Sequence, residues 1–382
     1  MPLRVLQLGM GWFPERAGGC NRMFHGLMQN LDSAGVKPEG LVAGSPARIA
    51  SSARVSAFAP HDAPLPLRLS RARRMVRARD LTQYQLACSH FALYTLPMLH
   101  ALRHVPLLTH FHGPWASEGV IEGAGPFATR AKRWVERRVY GRSRHFIVLS
   151  RAFRDVLASE YGIAHDRISI VPGGVDCVRF SKVGSQRDAR MQLNLPLDRP
   201  IVFTVRRLAP RMGLSALLDS IVEVRKRVPD VLLLIAGKGP LSESLDARIK
   251  ALNLRQHVRL LGFVADDTLP SAYRAANLSV VPTESLEGFG LVAAESLAAG
   301  TPALVTPIGG LPEVVEELSP SLILPASGAA ALAAGITAAL LGTVKLPDDI
   351  QCREFAQRYD WKRIAARTAA VYRAALAPTR EY

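Results

Sequence analysis

Short apolar runs alternate with segments of helical spacing along almost the whole chain. In the first half, the apolar runs predict strands at 3–8, 41–43, 86–89, 106–110, 145–149 and 168–171. A glycine-rich loop at 9–19 follows the first strand, and apolar residues at helical spacing predict a helix at 21–34. Strands separated by helices are typical of βαβ units, so this half is predicted to form a parallel sheet.

A polar stretch at 180–200 interrupts this pattern, which then starts again. Strands are predicted at 201–205, 231–236, 258–261, 278–281 and 303–305, with helices at 213–227 and 241–252. The pattern therefore predicts an α/β protein with two doubly wound, Rossmann-like domains at 1–182 and 183–362. The end of the chain, 352–376, has helical spacing, and Trp361 is expected to mark a bend or a crossing between the domains. The segment 363–382 is expected to pack back on the first domain. Because ligands of open parallel sheets bind beyond the carboxyl ends of the strands, we expect the two domains to face a binding cleft.

One stretch, 318–344, contains no charged residue and resembles a membrane span. It is interrupted by Pro320, Pro325, Gly328 and Gly335, whereas a spanning helix needs about 20 strongly apolar residues. A short strand at 321–324 followed by an alanine-rich packed helix fits better. The N-terminus lacks the apolar core of a signal peptide, and the four cysteines are too scattered for a zinc site or a disulfide framework. We therefore expect a cytoplasmic location in a reducing compartment.

The composition is typical of a globular protein, with 48% hydrophobic residues, but basic residues strongly outnumber acidic ones. Lysine and arginine number 48 against 32 acidic residues, and the net charge of +16 favours anionic partners. Two basic clusters are Arg68, Arg71, Arg73, Arg74, Arg77 and Arg79, and Lys132, Arg133, Arg137, Arg138, Arg142 and Arg144. The second cluster is interleaved with apolar residues, as in a basic amphipathic helix on an anionic membrane. A solvated basic face is the alternative, and no nucleic acid is expected because no nucleic-acid-binding motif accompanies the charge.

The most informative segment is PTESLEGFGLVAAESLAAG at 282–300. A predicted strand leads into a loop with Glu287 and two glycines, and a helix then opens and carries Glu295. The glycines allow close approach of a ligand to the backbone, and the helix N-terminus suits a phosphate. If the eight-residue interval were helical, the two carboxylates would lie about 12 Å apart along the axis. This spacing suits two hydroxyl clusters of one extended ligand better than the paired carboxylates of a glycosidase. An ordinary strand–loop–helix with surface glutamates is the alternative.

EGFGLVAAE resembles the E-x7-E signature of the retaining family 4 glycosyltransferases, which have the GT-B fold of two Rossmann-like domains. Further segments of the chain resemble the family in the same order: AGGCNRMFHGLMQNL (17–31), SHFALYTLPML (89–99), THFHGPWASEG (109–119), FIVLSRAF (146–153), ISIVPGGVDCVRF (168–180), FTVRRLAPRMGL (203–214), LLIAGKGPL (233–241), LGFV (261–264) and VTPIGGLPEVV (305–315). The resemblance covers about residues 3–372, and many motifs in order make it specific.

The resemblance implies transfer of a sugar from a nucleoside diphosphate sugar to a hydroxyl acceptor, with retention of the anomeric configuration. The second domain would bind the donor and the first domain the acceptor. Glu295 matches the glutamate that contacts the ribose hydroxyls, and Glu287 matches the one that contacts hydroxyls of the donor sugar. The backbone N–H groups that would face the sugar and the pyrophosphate are those of Gly288, Phe289, Gly290 and Leu291.

The pyrophosphate leaving group gains negative charge, which fixed cations must stabilise. The family uses an Arg and a Lys in a pattern like G-R-L-x-x-x-K-G, and no metal or other cofactor is expected. Here Arg207 matches the Arg, but Met212 stands where the Lys is expected. Arg207 and Arg211 are therefore the predicted cations, with Arg206 as the substitute.

In the first domain, Gly18 and Gly19 precede a helix and are predicted to cradle the sugar or a phosphate. The family histidine near the donor sugar corresponds best to His112, whereas His110 is the weaker candidate. The implied mechanism is a front-face substitution without a protein nucleophile, in which the leaving phosphate oxygen helps to deprotonate the acceptor.

Two other functions remain open at this point. One is a GT-B relative that hydrolyses or epimerises nucleotide sugars, and the other is a non-catalytic anion-binding protein on the same scaffold. The implied setting is synthesis of a surface polysaccharide or a glycolipid, with peripheral contact at the inner face of the membrane. The hydroxyl acceptor is a sugar, a glycolipid or a soluble small molecule, and these alternatives stay open at this point.

Overall fold

The computed structural model describes residues 2–49 and 54–377, and the chain forms two compact units. The first unit comprises Met1–Gly174 together with Trp361–Tyr382, and the second comprises Val175–Asp360. The sequence-based divisions stand at 182/183 and 362/363, whereas the structure divides the chain at 174/175 and 360/361.

The first unit is built on a parallel sheet with the strand order β3-β2-β1-β4-β5-β6-β7. Its strands are β1 (Leu3–Gly11), β2 (Val36–Ala43), β3 (Val55–Ala59), β4 (Leu86–Ser89), β5 (Leu107–Phe111), β6 (His145–Val148) and β7 (Ile168–Ile170). The interior strand β1 pairs with β2 from Leu3↔Val36 and with β4 from Val5↔Leu86. Because helices cover both faces, the strands are buried as continuous apolar runs.

The sequence did not predict β3, which is a short run next to residues outside the described part. The α-helices between these strands are α1 (Gly19–Asn30), α2 (Pro46–Ile49), α3 (Leu65–Arg77), α4 (Ala92–Thr95), α5 (Trp115–Ile121), α6 (Pro126–Tyr140) and α7 (Arg151–Tyr161). Short 3-10 helices lie at Leu31–Ala34, Leu81–Gln83, Leu96–Met98, Ala101–His104 and His165–Arg167. Helix α7 has clear end signals, since the Ser150 hydroxyl accepts from Phe153 N and Gly162 follows in the left-handed region.

The second unit has a smaller parallel sheet with the order β10-β9-β8-β11-β12. Its strands are β8 (Ile201–Val205), β9 (Leu232–Ala236), β10 (Val258–Gly262), β11 (Leu278–Val281) and β12 (Ala303–Val305). Its α-helices are α8 (Cys177–Ser181), α9 (Gln186–Gln192), α10 (Leu214–Arg227), α11 (Ser242–Ala251), α12 (Leu269–Ala275), α13 (Leu291–Ala298), α14 (Leu311–Val315), α15 (Ala329–Leu340) and α16 (Asp349–Ala356). Short 3-10 helices lie at Pro210–Met212, Pro320–Leu322 and Gln357–Tyr359.

One local prediction in the second unit is wrong. The predicted strand at 321–324 is a 3-10 turn, Pro320–Leu322, with an isolated bridge between Val305 and Ile323. The polar stretch at 180–200 contains helix α9, which begins with a capping box between Ser185 and Asp188. Within the described residues, no helix is long and apolar enough to cross a membrane.

The helix predicted at 352–376 is broken in the structure. Helix α16 ends at Ala356, a 3-10 turn follows, and α17 (Trp361–Leu376) begins after Asp360. Trp361 packs against Gly26 of α1 and against Gly174, where a Cβ atom on either glycine would overlap the indole ring. The break therefore lets α17 start on the first unit.

Candidate functional site

The second unit gathers its predicted site residues at the carboxyl ends of two adjacent strands. Strands β8 and β11 pair in parallel, with Leu278 opposite Val202. Arg206 and Arg207 follow β8 directly, and the loop that carries Glu287 follows β11. Because parallel strands end at the same edge of a sheet, these segments meet.

Arg206 forms the centre of this site. Its Nη2 atom donates to Thr283 Oγ1 at 2.6 Å and forms a short ion pair with Glu287. The same nitrogen lies 3.0 Å from Met212 Sδ. The side chains of Arg206 and Glu287 are 7% and 16% exposed, so the carboxylate offsets the cost of a nearly buried guanidinium. The structure thus brings together two predicted residues and places Arg206 beside Met212, where the sequence lacks the expected lysine.

The other two predicted cations differ in their surroundings. Arg207 is exposed, whereas Arg211 is half-buried. Arg211 Nη1 donates to Leu286 O at 2.7 Å, and Arg211 O accepts from Glu284 N at 2.9 Å. Arg211 therefore stabilises the loop that carries Glu287 through these two hydrogen bonds.

The loop of Glu287 is fixed in an unusual backbone conformation. Leu286 has a φ of 51°, in the left-handed region that side chains with a Cβ rarely adopt. Glu287 O accepts from Gly310 N at 2.9 Å. Gly309 has a φ of 57°, and a Cβ atom there would lie 2.0 Å from Glu287 O. The backbone of Glu287 is therefore held by its neighbours as well as by its own ion pair.

Helix α13 opens immediately after this loop, at the predicted phosphate-facing segment. Gly290 is its N-cap residue, and Gly288 and Leu291 flank the turn as half-buried residues. The Phe289 side chain is buried against Tyr359, with ring centroids 5.3 Å apart. Phe289 can therefore offer a ligand only its backbone.

Glu295 lies on the second turn of α13 and is buried. Its Oε2 atom accepts from the Tyr273 hydroxyl at 3.1 Å. The hydrogen bond orients the carboxylate that was predicted to contact the ribose. Loop residues separate Glu287 from the start of the helix, so the interval between the two glutamates is only partly helical.

In the first unit, the predicted glycines lie at the start of α1. Gly18 is the N-cap residue and Gly19 the first helical residue. A Cβ atom added to either would meet no atom within 4 Å. The backbone at this helix N-terminus is therefore not covered by neighbouring side chains.

His90 and His112 follow the adjacent strands β4 and β5, and His110 lies within β5. The rings of His90 and His110 are stacked with centroids 4.3 Å apart, and those of His90 and His112 lie 5.2 Å apart. Burial lowers the pKa of His112 to about 4. Burial and the neighbouring imidazoles lower the pKa of His90 and His110 well below the usual range. All three rings are therefore neutral at pH 7.

Sequence reasoning missed three polar partners: Thr283, which bonds Arg206, and Gln7 and Tyr372, which bond the histidines. Gln7 had a signal in the sequence, because a glutamine stands inside the apolar run 5–8, and the structure buries it completely. In the sequence, Tyr372 cannot be distinguished from an ordinary core residue of the last helix. Across residues 2–49 and 54–377, no group of three or more His, Cys, Asp or Glu side chains could hold a metal ion.

The two halves of the chain match two sequence families. Residues 17–179 match the family described as Glycosyltransferase Family 4, and residues 185–357 match the family described as Glycosyl transferases group 1.

Individual relatives share parts of the sequence. Mannosylfructose-phosphate synthase from Agrobacterium fabrum is 34% identical over 165 residues, 41% of this chain and 36% of the relative. D-inositol 3-phosphate glycosyltransferase from Segniliparus rotundus is 30% identical over 278 residues, 71% of this chain and 62% of the relative. The chain thus matches between about a third and three fifths of the length of these relatives.

The fold also resembles solved structures. HepE from Anabaena, in complex with UDP and glucose, superposes with a TM-score of 0.79 at 19% identity. The match covers 97% of this chain and 100% of that one.

Proposed function

Because the chain belongs to glycosyltransferase family 4, as the motifs predicted, we propose that it transfers a sugar from a nucleoside diphosphate sugar to a hydroxyl acceptor. The α/β fold class of two parallel-sheet, GT-B-type units is confirmed. The hydrolase, epimerase and non-catalytic alternatives find no support among the relatives, which are glycosyltransferases and synthases.

The observation that carries the proposal is the fixed position of Glu287. Arg206 and Thr283 hold its carboxylate, while Gly310 holds its carbonyl. Carboxylates accept strong hydrogen bonds from sugar hydroxyls, and a fixed carboxylate binds them with a smaller entropy cost. Glu295 on the next helix supplies a second carboxylate for the ribose. This arrangement supports a donor site along the loop and the first two turns of α13.

Cationic side chains and backbone N–H groups of the same loops would stabilise the negative charge on the leaving pyrophosphate. Arg207 and Arg211 supply the nearby guanidinium groups, and the N–H groups that open α13 supply partial positive charge. We propose retention by front-face attack, in which the leaving oxygen takes the acceptor proton. The chain then contributes positioning and charge stabilisation rather than a nucleophile.

Thermal unfolding with nucleotides tests the donor site. UDP, GDP, ADP and dTDP and their sugar conjugates are added to the wild type, to Glu295→Gln and to the control Glu243→Gln, whose side chain is exposed on α11. We expect one nucleotide to raise the unfolding temperature of the wild type and of the control but not of Glu295→Gln. No rise with any nucleotide would contradict the proposal.

Retention is tested with the donor identified in this way. Product formed from a donor of known anomeric configuration is examined by NMR at the new anomeric proton. The same configuration in donor and product supports front-face transfer, and the opposite configuration rules it out.

Helix α6 supports a finer proposal, that the acceptor is reached at an anionic membrane surface. Phe127 and Trp134 are 88% and 61% exposed, and Arg130, Arg137 and Arg138 are exposed on the same stripe. The opposite side of the helix is buried through Val135, Glu136, Val139 and Tyr140. Exposed aromatic rings among arginines suit the boundary between headgroups and acyl chains. A groove of about 490 Å³ at the end of this helix is lined in part by Arg137, Arg138 and Arg142.

Vesicle co-sedimentation tests this surface. The wild type should bind vesicles with acidic phospholipid, bind neutral vesicles weakly, and lose binding at high salt. The double variant Phe127→Ala/Trp134→Ala should lose most of the binding. Ile350→Ala, which removes an exposed apolar side chain from the second unit, is the matched control. Equal sedimentation of both variants would contradict the membrane proposal.

A further inference from the structure

A chain of buried hydrogen bonds connects the C-terminal helix α17 to His112. Tyr372 of α17 is fully buried, and its hydroxyl lies 3.1 Å from Gln7 Nε2 and 2.7 Å from His110 Nε2. Gln7 Oε1 lies 2.8 Å from His90 Nε2. His90 Nδ1 lies 3.0 Å from His112 Nε2. Residues far apart in sequence thus form one polar path through the core of the first unit.

The direction of each hydrogen bond follows from its neighbour. The Gln7 amide donates through Nε2 to Tyr372 Oη, so its Oε1 atom accepts, and His90 must carry its proton on Nε2. A neutral His90 then has a bare Nδ1, which accepts from His112 Nε2–H. A neutral His112 has, in turn, a bare Nδ1.

Tyr372 determines the hydrogen-bond directions at the end of the path opposite His112. Because its oxygen accepts from Gln7, its own proton is free to be donated to His110 Nε2. The Cys88 thiol also contacts this hydroxyl, but an imidazole nitrogen is a stronger acceptor than sulfur. The hydroxyl therefore anchors the orientation of the Gln7 amide.

We propose that Tyr372, Gln7 and His90 are positioning residues that hold His112 as the neutral Nε2–H tautomer, with Nδ1 as a hydrogen-bond acceptor. His112 Nδ1 is enclosed and has no hydrogen-bond partner among the described residues. An unpaired buried acceptor is costly, and a hydroxyl donor removes that cost. A bare nitrogen repels the lone pairs of a phosphate oxygen. His112 therefore takes a sugar hydroxyl and not a phosphate, a step that rests on the proposed function.

The tautomer is measured by 15N NMR of the full chain labelled at histidine, without any turnover. Protonated and bare imidazole nitrogens have well-separated 15N shifts, and His112→Asn identifies the His112 signals. We expect a protonated Nε2 and a bare Nδ1 in the wild type at pH 7. A protonated Nδ1, or protons on both nitrogens, would overturn the proposal.

Tyr372→Phe tests the anchor, because it removes the hydroxyl and keeps the packed ring. Losing one hydrogen bond should shift the His112 tautomer ratio by about threefold to tenfold. Gln7→Met should shift it at least as far. Tyr84→Phe is the matched control, since Tyr84 is also buried and bonds Glu39 through its hydroxyl. An unchanged ratio in Tyr372→Phe, or an equal shift in the control, would show that Tyr372 does not position His112.

Transfer assays separate this inference from the proposed function. In Tyr372→Phe, kcat/KM should fall by about threefold to tenfold while stabilisation by the free nucleoside diphosphate stays unchanged. An unchanged kcat/KM together with a shifted tautomer would overturn the assignment of a sugar hydroxyl to His112. No turnover in the wild type, with the expected tautomer present, would instead count against the proposed function and support the proton arrangement.

Discussion

At the scale of single residues, the surroundings of Met212 determine whether position 212 could hold a cation that binds a phosphate. Met212 is 7% exposed, and its sulfur contacts the guanidinium of Arg206. Met212→Lys would place a second cation against Arg206, which has Glu287 as its carboxylate partner. We expect a loss of about 3 kcal/mol of unfolding free energy and no gain in nucleotide affinity, as measured by urea unfolding and calorimetry.

Met212→Leu is the control for this change, because a swap of similar volume costs under about 1.5 kcal/mol in a core. A stable Met212→Lys variant with tighter nucleotide binding would show that the site lacks a cation at this position.

Gly309 gives a second prediction at this scale. In Gly309→Ala, the new Cβ would overlap the carbonyl oxygen of Glu287 and displace the loop that carries Glu287. Gly342 has a similar positive φ, but a Cβ atom there would meet no atom within 4 Å, so Gly342→Ala measures the backbone strain alone. Strain should cost both variants about 1–2 kcal/mol, and Gly309→Ala should also lose about tenfold in nucleotide-sugar affinity. Equal affinities in titration calorimetry would contradict a role for this close approach.

The sequence placed Arg206 and Glu287 in one candidate donor site, but it did not predict that they touch. Arg206 and Glu287 were assigned to different parts of one donor, the pyrophosphate and the sugar, and their ion pair was not predicted. Their contact depends on the pairing of β8 with β11, which are far apart in sequence. Thr283 and Gln7 were missed because their roles arise only from tertiary neighbours.

At the scale of elements, apolar runs bounded by polar or glycine residues were predictable. The predicted strands at 86–89, 201–205, 278–281 and 303–305 coincide with β4, β8, β11 and β12. A bend at Trp361 was predicted, but the full break between α16 and α17 was not, because helical spacing continues through it. The break depends on where Trp361 packs, which is a tertiary property.

Gly26→Ala tests that packing. A Cβ atom at Gly26 would lie 1.9 Å from the Trp361 ring, and the overlap should outweigh the gain in helix propensity of about 1 kcal/mol. We expect a net loss of about 1–3 kcal/mol in urea unfolding. Gly125→Ala, where no atom lies within 4 Å, should change stability by under about 0.5 kcal/mol. If the two variants were equally stable, the contact of Trp361 with α1 would carry little of the packing of α17.

At the scale of the whole molecule, the alternation of strands and helices predicted two doubly wound units, and charge predicted anionic partners. Neither property revealed the buried titratable groups. His90, His110 and His112 are neutral in the fold, although a histidine in an unfolded chain is half protonated near pH 6.5. Glu136 on α6 has the opposite shift, because burial raises its pKa to about 7.

These shifts predict how stability depends on pH. Histidines with a lowered pKa in the fold contribute stability that is present above about pH 6.5 and is lost as the pH falls. Glu136 contributes stability that is present below about pH 4.5 and is lost as the pH rises through about 7. Between pH 5 and 6, unfolding therefore takes up protons at these three histidines and at His61 and His145, whose pKa is also lowered, and releases about one proton at Glu136. The net uptake of protons makes stability rise with pH, by about 1.4 kcal/mol per pH unit for each proton taken up.

Urea unfolding between pH 5 and 7 measures that slope, and three variants divide it among its sources. His110→Asn should make the slope shallower, because one buried neutral imidazole is removed. Glu136→Gln should make it steeper, because the opposing carboxyl is gone. His104→Asn, at an exposed position of the same unit, should leave it unchanged. A slope that His110→Asn does not alter would mean that the stacked histidines carry charge in the folded protein, and the neutral state of His112 would have to be abandoned with them.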